Sequence, residues 1–365
     1  MRSVHLTSAF MAMGLGLVTG ILLFVPFVAA SYRRRGRLTA GRFVLWGAAL
    51  VYFWAIWTYT LLPLPNPAGY QCVGANVQPF AFVQDIRDSL ASSGGGLRAA
   101  VMDFAVLQVV FNVVLFMPLG FFIRVLGGRG VVIASLTGLA TTALIEFTQL
   151  TGVWGLYPCA YRFFDVDDLM ANTLGALLGS LIALPFVGRR RSVAPAADVA
   201  RPVTKPRRFL GVLCDWLAFV LLSVSITVGI RAVLLYVLND REALNQDDYS
   251  GVVGTGVAFL VWLVVTLVSG RTVGDQAVQL QYDGGPLPRP LARLLRLLGG
   301  IGGYALLGLL PEGFGWVESL FVLVSLGALV FSTKGRGLPG LVSGQQVRDA
   351  REAPAAEPVR PVARG

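Results

Sequence analysis

Seven polar residues stand out because each lies in, or beside, a long apolar run. Glu146 and Gln149 are three apart, so they share one face of a helix. Arg162 precedes a stretch that reads R-F-F-D-V-D-D-L-M-A-N-T-L-G-A-L-L-G. On a helix from Asp165, the residues Asp168, Asn172, Gly175 and Gly179 fall at i, i+4, i+7 and i+11, which is one face. Asn112 sits in F-N-V-V-L-F-M-P-L-G. Two readings stay open. Glu146 with Asp165 or Asp168 suits acid–base chemistry or a cation, and Arg162 suits a phosphate or carboxylate. Alternatively Arg162 neutralises the carboxylates, while Asn112 and Asn172 bond across helices as packing glue.

Other chemistries lack their residues. The chain has one histidine, His5, and three cysteines, Cys72, Cys159 and Cys214. No His/Cys metal cluster can be spaced from these, and a Ser-His-Asp triad would need His5 at the extreme N-terminus. There is no Walker A or dinucleotide glycine fingerprint. Neither a metal nor a cofactor is expected.

The elements that hold the polar residues are membrane spans. The 365 residues are 55% hydrophobic and 14% charged, where a soluble domain carries roughly a quarter charged residues. The expected fold class is all-α: a polytopic integral membrane protein of roughly nine transmembrane helices in two helical modules, with a disordered C-terminal tail. Spans are expected over about 8–30, 42–62, 104–125, 131–150 and 166–187 in the first module. The first is read as an uncleaved helix rather than a signal peptide, because it is long and Arg33, Arg34, Arg35 and Arg37 follow it. A short surface helix is expected around 79–90. A basic Pro/Ala/Arg linker at 188–207 marks a domain boundary.

The second module is expected at 208–332. It holds spans at about 208–238 and 251–269, and a hairpin of two spans in 297–332 broken at Pro311-Glu312-Gly313. Between them, Arg289, Arg293 and Arg296 fall at i, i+4 and i+7, as on a surface-lying helix. Arg208 and Asp215 are seven apart, too far to pair within one helix, so Asp215 is expected to meet another helix or an inner vestibule. The competing reading makes Arg208 an interfacial anchor and Asp215 a packing residue. The tail from 333 to 365 is rich in Pro, Ala, Arg and Glu and is expected to be disordered and cytoplasmic.

The formal net charge is +10. Its placement between apolar runs fits the positive-inside rule better than nucleic-acid binding. With the N-terminus outside and the C-terminus cytoplasmic, only Arg2, Arg87, Arg98, Arg162, Arg231 and Arg241 fall off the basic, inner side. The polar residues of the first module then gather near the outer face. Cys72 and Cys159 fall in outer loops, where a disulfide between them is chemically allowed.

F-N-V-V-L-F-M-P-L-G, I-E-F-T-Q-L and R-F-F-D-V-D-D-L-M-A-N-T-L-G together resemble the VanZ-like family of bacterial membrane proteins, over residues 45–187. The resemblance implies that Asn112, Pro118, Gly120, Glu146, Gln149, Arg162, Asp165, Asp168, Asn172 and Gly175 are its characteristic positions. It implies a role in the envelope at the bacterial cytoplasmic membrane, linked to sensitivity to the glycopeptide teicoplanin. R-R-F-L-G-V-L-C-D-W-L and G-R-T-V-G-D-Q-A-V-Q-L-Q-Y-D-G-G resemble a second membrane module, the RDD family, over about 207–332. That family often shows T-P-G-K where this chain has Thr272-Val273-Gly274-Asp275, which puts an acid in place of a lysine.

Three functions fit these observations. The first is a non-catalytic envelope protein that works in the lipid bilayer on a lipid-linked cell-wall precursor. The second is an enzyme acting on a lipid-linked or phosphorylated substrate through Glu146, Asp165 and Asp168. The third is a transporter of a small ligand. The envelope reading is favoured, because no internal repeat supports a transporter and no nucleophile or metal motif supports an enzyme.

Overall fold

The computed structural model describes residues 2–66, 69–92, 103–191, 199–240, 242, 249–311 and 313–352, with side chains from Thr7 onward. The His5 side chain, the glycine run at 93–96, Glu312, most of the acidic loop 239–249 and the tail beyond 352 lie outside the described residues.

The chain is an all-α, multi-pass membrane protein. Among the described residues, six helices are long and apolar enough to cross a bilayer. These are α1 (Arg2–Arg35), α2 (Ala40–Leu61), α4 (Phe104–Val125), α5 (Val131–Leu150), α8 (Lys205–Tyr236) and α9 (Tyr249–Ser269). The other three of the roughly nine expected spans are shorter or broken. The expected fifth span breaks at Ala183 into α6 (Val166–Ile182) and α7 (Leu184–Arg191), with Pro185 directly after the break. Proline removes a helical donor and crowds the preceding turn. The expected hairpin becomes α12 (Ile301–Leu307) and α13 (Gly315–Phe331). Seven residues rise only about 10 Å, so α12 cannot span a roughly 30 Å hydrocarbon core.

The chain packs as two units. One comprises 1–20 with 39–194; the other comprises 21–38 with 195–365. The expected modules gave all of the first helix to the first, whereas its second half groups with the second unit.

In the first unit, α4, α5 and α6 form the core. Phe116 and Ile145 are buried there with Ile56 of α2. The α4–α6 crossing is close because small residues line it. A Cβ on Gly175 or Gly179 would overlap the main-chain carbonyls of Val113 or Met117 on α4. The G-x-x-x-G seam read from the sequence thus meets a definite partner helix. Above these helices lies a cap of loops. The surface helix α3 (Ala81–Ser92) packs on α4, and strand β1 (Ala75–Asn76) pairs in parallel with β2 (Phe164–Asp165). Cys72 and Cys159 are disulfide-bonded with their Cα atoms 5.6 Å apart, and Tyr161 Oη donates to the Leu61 carbonyl at 3.1 Å.

In the second unit, α8 and α9 pack together, and three short helices pack on them in turn, the first on α8, the second on α9 and the third on the second. These are α10 (Val273–Ala277), α11 (Arg289–Leu298) and α14 (Gly337–Ser343). Strand β3 (Leu280–Asp283) pairs antiparallel with β4 (Gln346–Asp349). Two expectations are overturned by this arrangement. Residues 333–352 are folded rather than part of a disordered tail: Val347 enters the core beside Leu280 and Tyr282, and the buried Asp349 pairs with Arg207 at 2.8 Å. Position 207 is in turn no linker residue. α8 starts at Lys205, behind the Thr204 cap and with Pro206 in its first turn, where proline costs no hydrogen bond. A composition rich in Pro, Ala and Arg concealed both features, because a four-residue strand and a helix cap need few residues.

Candidate functional site

The first-unit site lies where α6 begins. Asp165 ends β2 and caps α6: its Oδ1 accepts the Asp167 N–H at 2.9 Å and the Asn76 side-chain amide at 3.1 Å. An acidic cap suits the positive end of a helix. Burial still raises the Asp165 carboxyl above the ordinary aspartate range. One turn on, Asp168 accepts a hydrogen bond from the Asn112 amide of α4. From α5, the buried Glu146 accepts the Asp165 N–H at 3.3 Å. Glu146, Asp165 and Asp168 are therefore one acid cluster, built by three helices and one strand end.

The remaining residues sort into two groups. Gln149 donates to the Thr60 carbonyl of α2 at 2.8 Å, and Asn172 donates to the Thr142 hydroxyl of α5 at 2.8 Å. These are ties between helices. Arg162 differs from the neutralising role considered for it. Its Nη2 donates to the Leu62 carbonyl at 2.9 Å, and among the described residues it is in no ion pair with a carboxylate. The shared face of α6 also divides: Asp168, Gly175 and Gly179 meet α4, whereas Asn172 meets α5.

Asp167 was missed from the sequence. It is buried, and its two oxygens accept the N–H groups of Phe80 and Phe82 at 2.7 and 2.9 Å, which fixes the start of α3. The D-V-D-D run held the signal, but its target lies 85 and 87 residues away. Among the described residues, no group of three or more His, Cys, Asp or Glu side chains is arranged to hold a metal ion.

In the second unit, Arg208 and Asp215 do not pair with one another. Arg208 Nη1 pairs with Asp275 at 3.0 Å, Nη2 donates to the Tyr282 hydroxyl, and Nε donates to the Gly335 carbonyl at 3.3 Å. It is buried, not an interfacial anchor. Asp215 accepts from Trp262 Nε1 at 2.9 Å, the Thr272 hydroxyl at 2.6 Å and the Gly274 N–H at 2.8 Å. The acid at 275, which departs from the resembled motif, is the partner of Arg208. It also closes a capping box with Thr272 at the start of α10. Arg296, expected on a surface, is only 2% exposed; it donates to the Gly270 carbonyl at 2.7 Å and its guanidinium lies 4.8 Å from the Tyr282 ring centre.

No curated protein and no solved structure matches the chain. The segments that build the acid cluster, α4, α5, β2 and α6, all fall within one match: residues 45–187 fit the family model described as VanZ/LLP1.

Proposed function

We propose that the first unit serves the bacterial cell envelope as a VanZ-type membrane domain whose acid cluster opens to the outer face. There it binds or shields a lipid-linked cell-wall component and so sets sensitivity to glycopeptides such as teicoplanin. One observation carries this reading: Glu146, Asp165 and Asp168 converge, yet none is closed by an ion pair among the described residues. Polar groups in an apolar span are costly, and a purely structural cluster would gain from neutralising them. Open carboxylates suit a partner head group rich in amine or hydroxyl donors, with Arg162 close by for an anion. The VanZ/LLP1 match over the same residues supports the envelope assignment. In this proposal the second unit is an RDD-like companion module, a reading supported by its sequence motifs alone.

The test is a deletion strain complemented with Glu146→Gln, Asp168→Asn or Arg162→Lys, scored for teicoplanin and vancomycin sensitivity and for the pool of lipid-linked precursors. The expected result is a changed sensitivity on deletion, restored by the wild-type chain and not by the variants, although each variant accumulates normally in the membrane. A deletion that alters neither sensitivity nor precursor pool overturns the proposal. Turnover of a lipid-linked substrate by the purified chain, lost in the same variants, would replace it with an enzymatic role.

A further inference from the structure

The second unit contains a cavity of about 270 Å³ beside its buried charges. One wall is polar, with Arg208, Asp215, Asp275, Tyr282 and Arg296. The rest is apolar, including Leu213 and Trp216 of α8, Ile301 of α12, and Phe321 and Leu326 of α13. Several apolar lining residues also lie on the outer apolar surface: Phe209 is 49% exposed, Trp216 42% and Leu326 37%. In a membrane protein, exposed apolar residues of this kind suit contact with acyl chains.

Among the described residues, the charged groups of the polar wall are satisfied except at Arg296. Asp215 accepts three hydrogen bonds. Asp275 receives Arg208 on one oxygen and the Thr272 N–H on the other. Arg208 uses all three of its nitrogens. Arg296 does not: among the described residues only Nη2 is bonded, to the Gly270 carbonyl, while its Nε and Nη1 are buried with no partner there. Ser325, on the same cavity wall, also has a buried hydroxyl with no partner. Burying guanidinium N–H groups without acceptors costs free energy. Tyr282 lies against the Arg296 guanidinium and the Gly270 carbonyl takes Nη2, which leaves the diverging N–H groups of Nε and Nη1 each without an acceptor among the described residues.

We propose that this cavity binds an amphipathic oxyanion taken from the membrane. A carboxylate or phosphate head accepts a hydrogen bond from Arg296 Nη1, with Ser325 as an additional donor, and an acyl chain lies along α8 and α13. An ionised head fits better than a neutral one, because hydrogen bonds to an ionised acceptor are roughly twice as strong. The cavity is slightly below the ~300–1,000 Å³ of drug-sized sites, so it takes the head and the first part of one chain while the remainder lies in the bilayer.

The experiment uses the full chain in nanodiscs of a zwitterionic lipid with a photo-crosslinking analogue of oleate, and maps labelled peptides by mass spectrometry. Saturable labelling is expected on 209–216 and 321–329. It should be displaced by unlabelled oleate, by an oleoyl lysophosphatidate, or by both; which of them competes identifies a carboxylate or a phosphate head. Methyl oleate should not compete. Arg296→Gln should weaken labelling by at least about tenfold, as expected for loss of a hydrogen bond to a charged group. Leu326→Trp narrows the mouth without touching Arg296, and should do the same while eluting as a folded protein. Equal competition by methyl oleate would overturn the oxyanion. Equal competition by inorganic phosphate would overturn the amphipathic ligand, and unchanged labelling in both variants would overturn the site.

Discussion

The aspartates at the end of α8 and the carboxylates at the start of α6 are satisfied in opposite ways. At the end of α8, every aspartate has a donor for each oxygen and Arg208 is saturated. At the start of α6, three carboxylates stand together with amides and main-chain N–H groups but without a paired cation. A closed network specifies a packing arrangement, whereas an open one retains capacity for a ligand. The comparison also separates two arginines that look alike in sequence. Arg208 is held by a carboxylate, a phenol and a carbonyl, whereas Arg162 is held by one carbonyl.

The contrast is most exposed to attack at Asp275. Asp275→Ala strands the buried Arg208 and should destabilise the second unit by about 3–5 kcal/mol, read as loss of folded protein in detergent. A cost below about 1 kcal/mol would mean the network is not closed. Next in size is the disulfide. Cys72→Ser opens a covalent loop of 87 residues, and loss of a disulfide typically costs about 2–4 kcal/mol, measured as a lower thermal midpoint that reducing agent does not shift further. The Gly179→Ala change pushes a methyl into the Met117 carbonyl across the α4–α6 seam and should cost about 1–3 kcal/mol, read in the same melt.

Smaller effects sharpen the comparison from the other side. Glu146→Gln keeps shape and an acceptor for the Asp165 N–H while removing charge repulsion, so stability should change by less than about 1 kcal/mol. A loss on the scale of Asp275→Ala would show that the acid cluster is structural after all. The smallest expected effect concerns Asp349. Despite burial, main-chain N–H groups of Arg351 and Arg201, and then Arg207, hold its carboxyl below the ordinary aspartate range. A lowered folded value means that its contribution is complete above the unfolded value of about 3.9 and is lost as pH falls through the lower folded value. Hydrogen exchange across Gln346–Asp349 should accordingly rise between about pH 4 and pH 2, and should do so less in Asp349→Asn.

Much of the architecture was legible in the amino-acid order because it depends on local or periodic quantities. Runs of about 20 apolar residues give the long helices, and the glycine spacing gives a close-packing seam. The alignment of Glu146, Asp165 and Asp168 was also foreseeable, since residues near the ends of neighbouring spans share a depth. Tertiary structure alone decided the partners. Asp167 reaches the start of α3, Arg208 selects Asp275 over Asp215, and Arg207 fastens a strand in what reads as a loose tail. Those choices are made by side chains that meet only after distant segments pack, and no periodicity within either segment records the distance. Likewise α12 is short because the chain turns at Gly308–Leu310, where local hydrogen bonds replace a continuing helix; hydropathy alone reads that region as one apolar run.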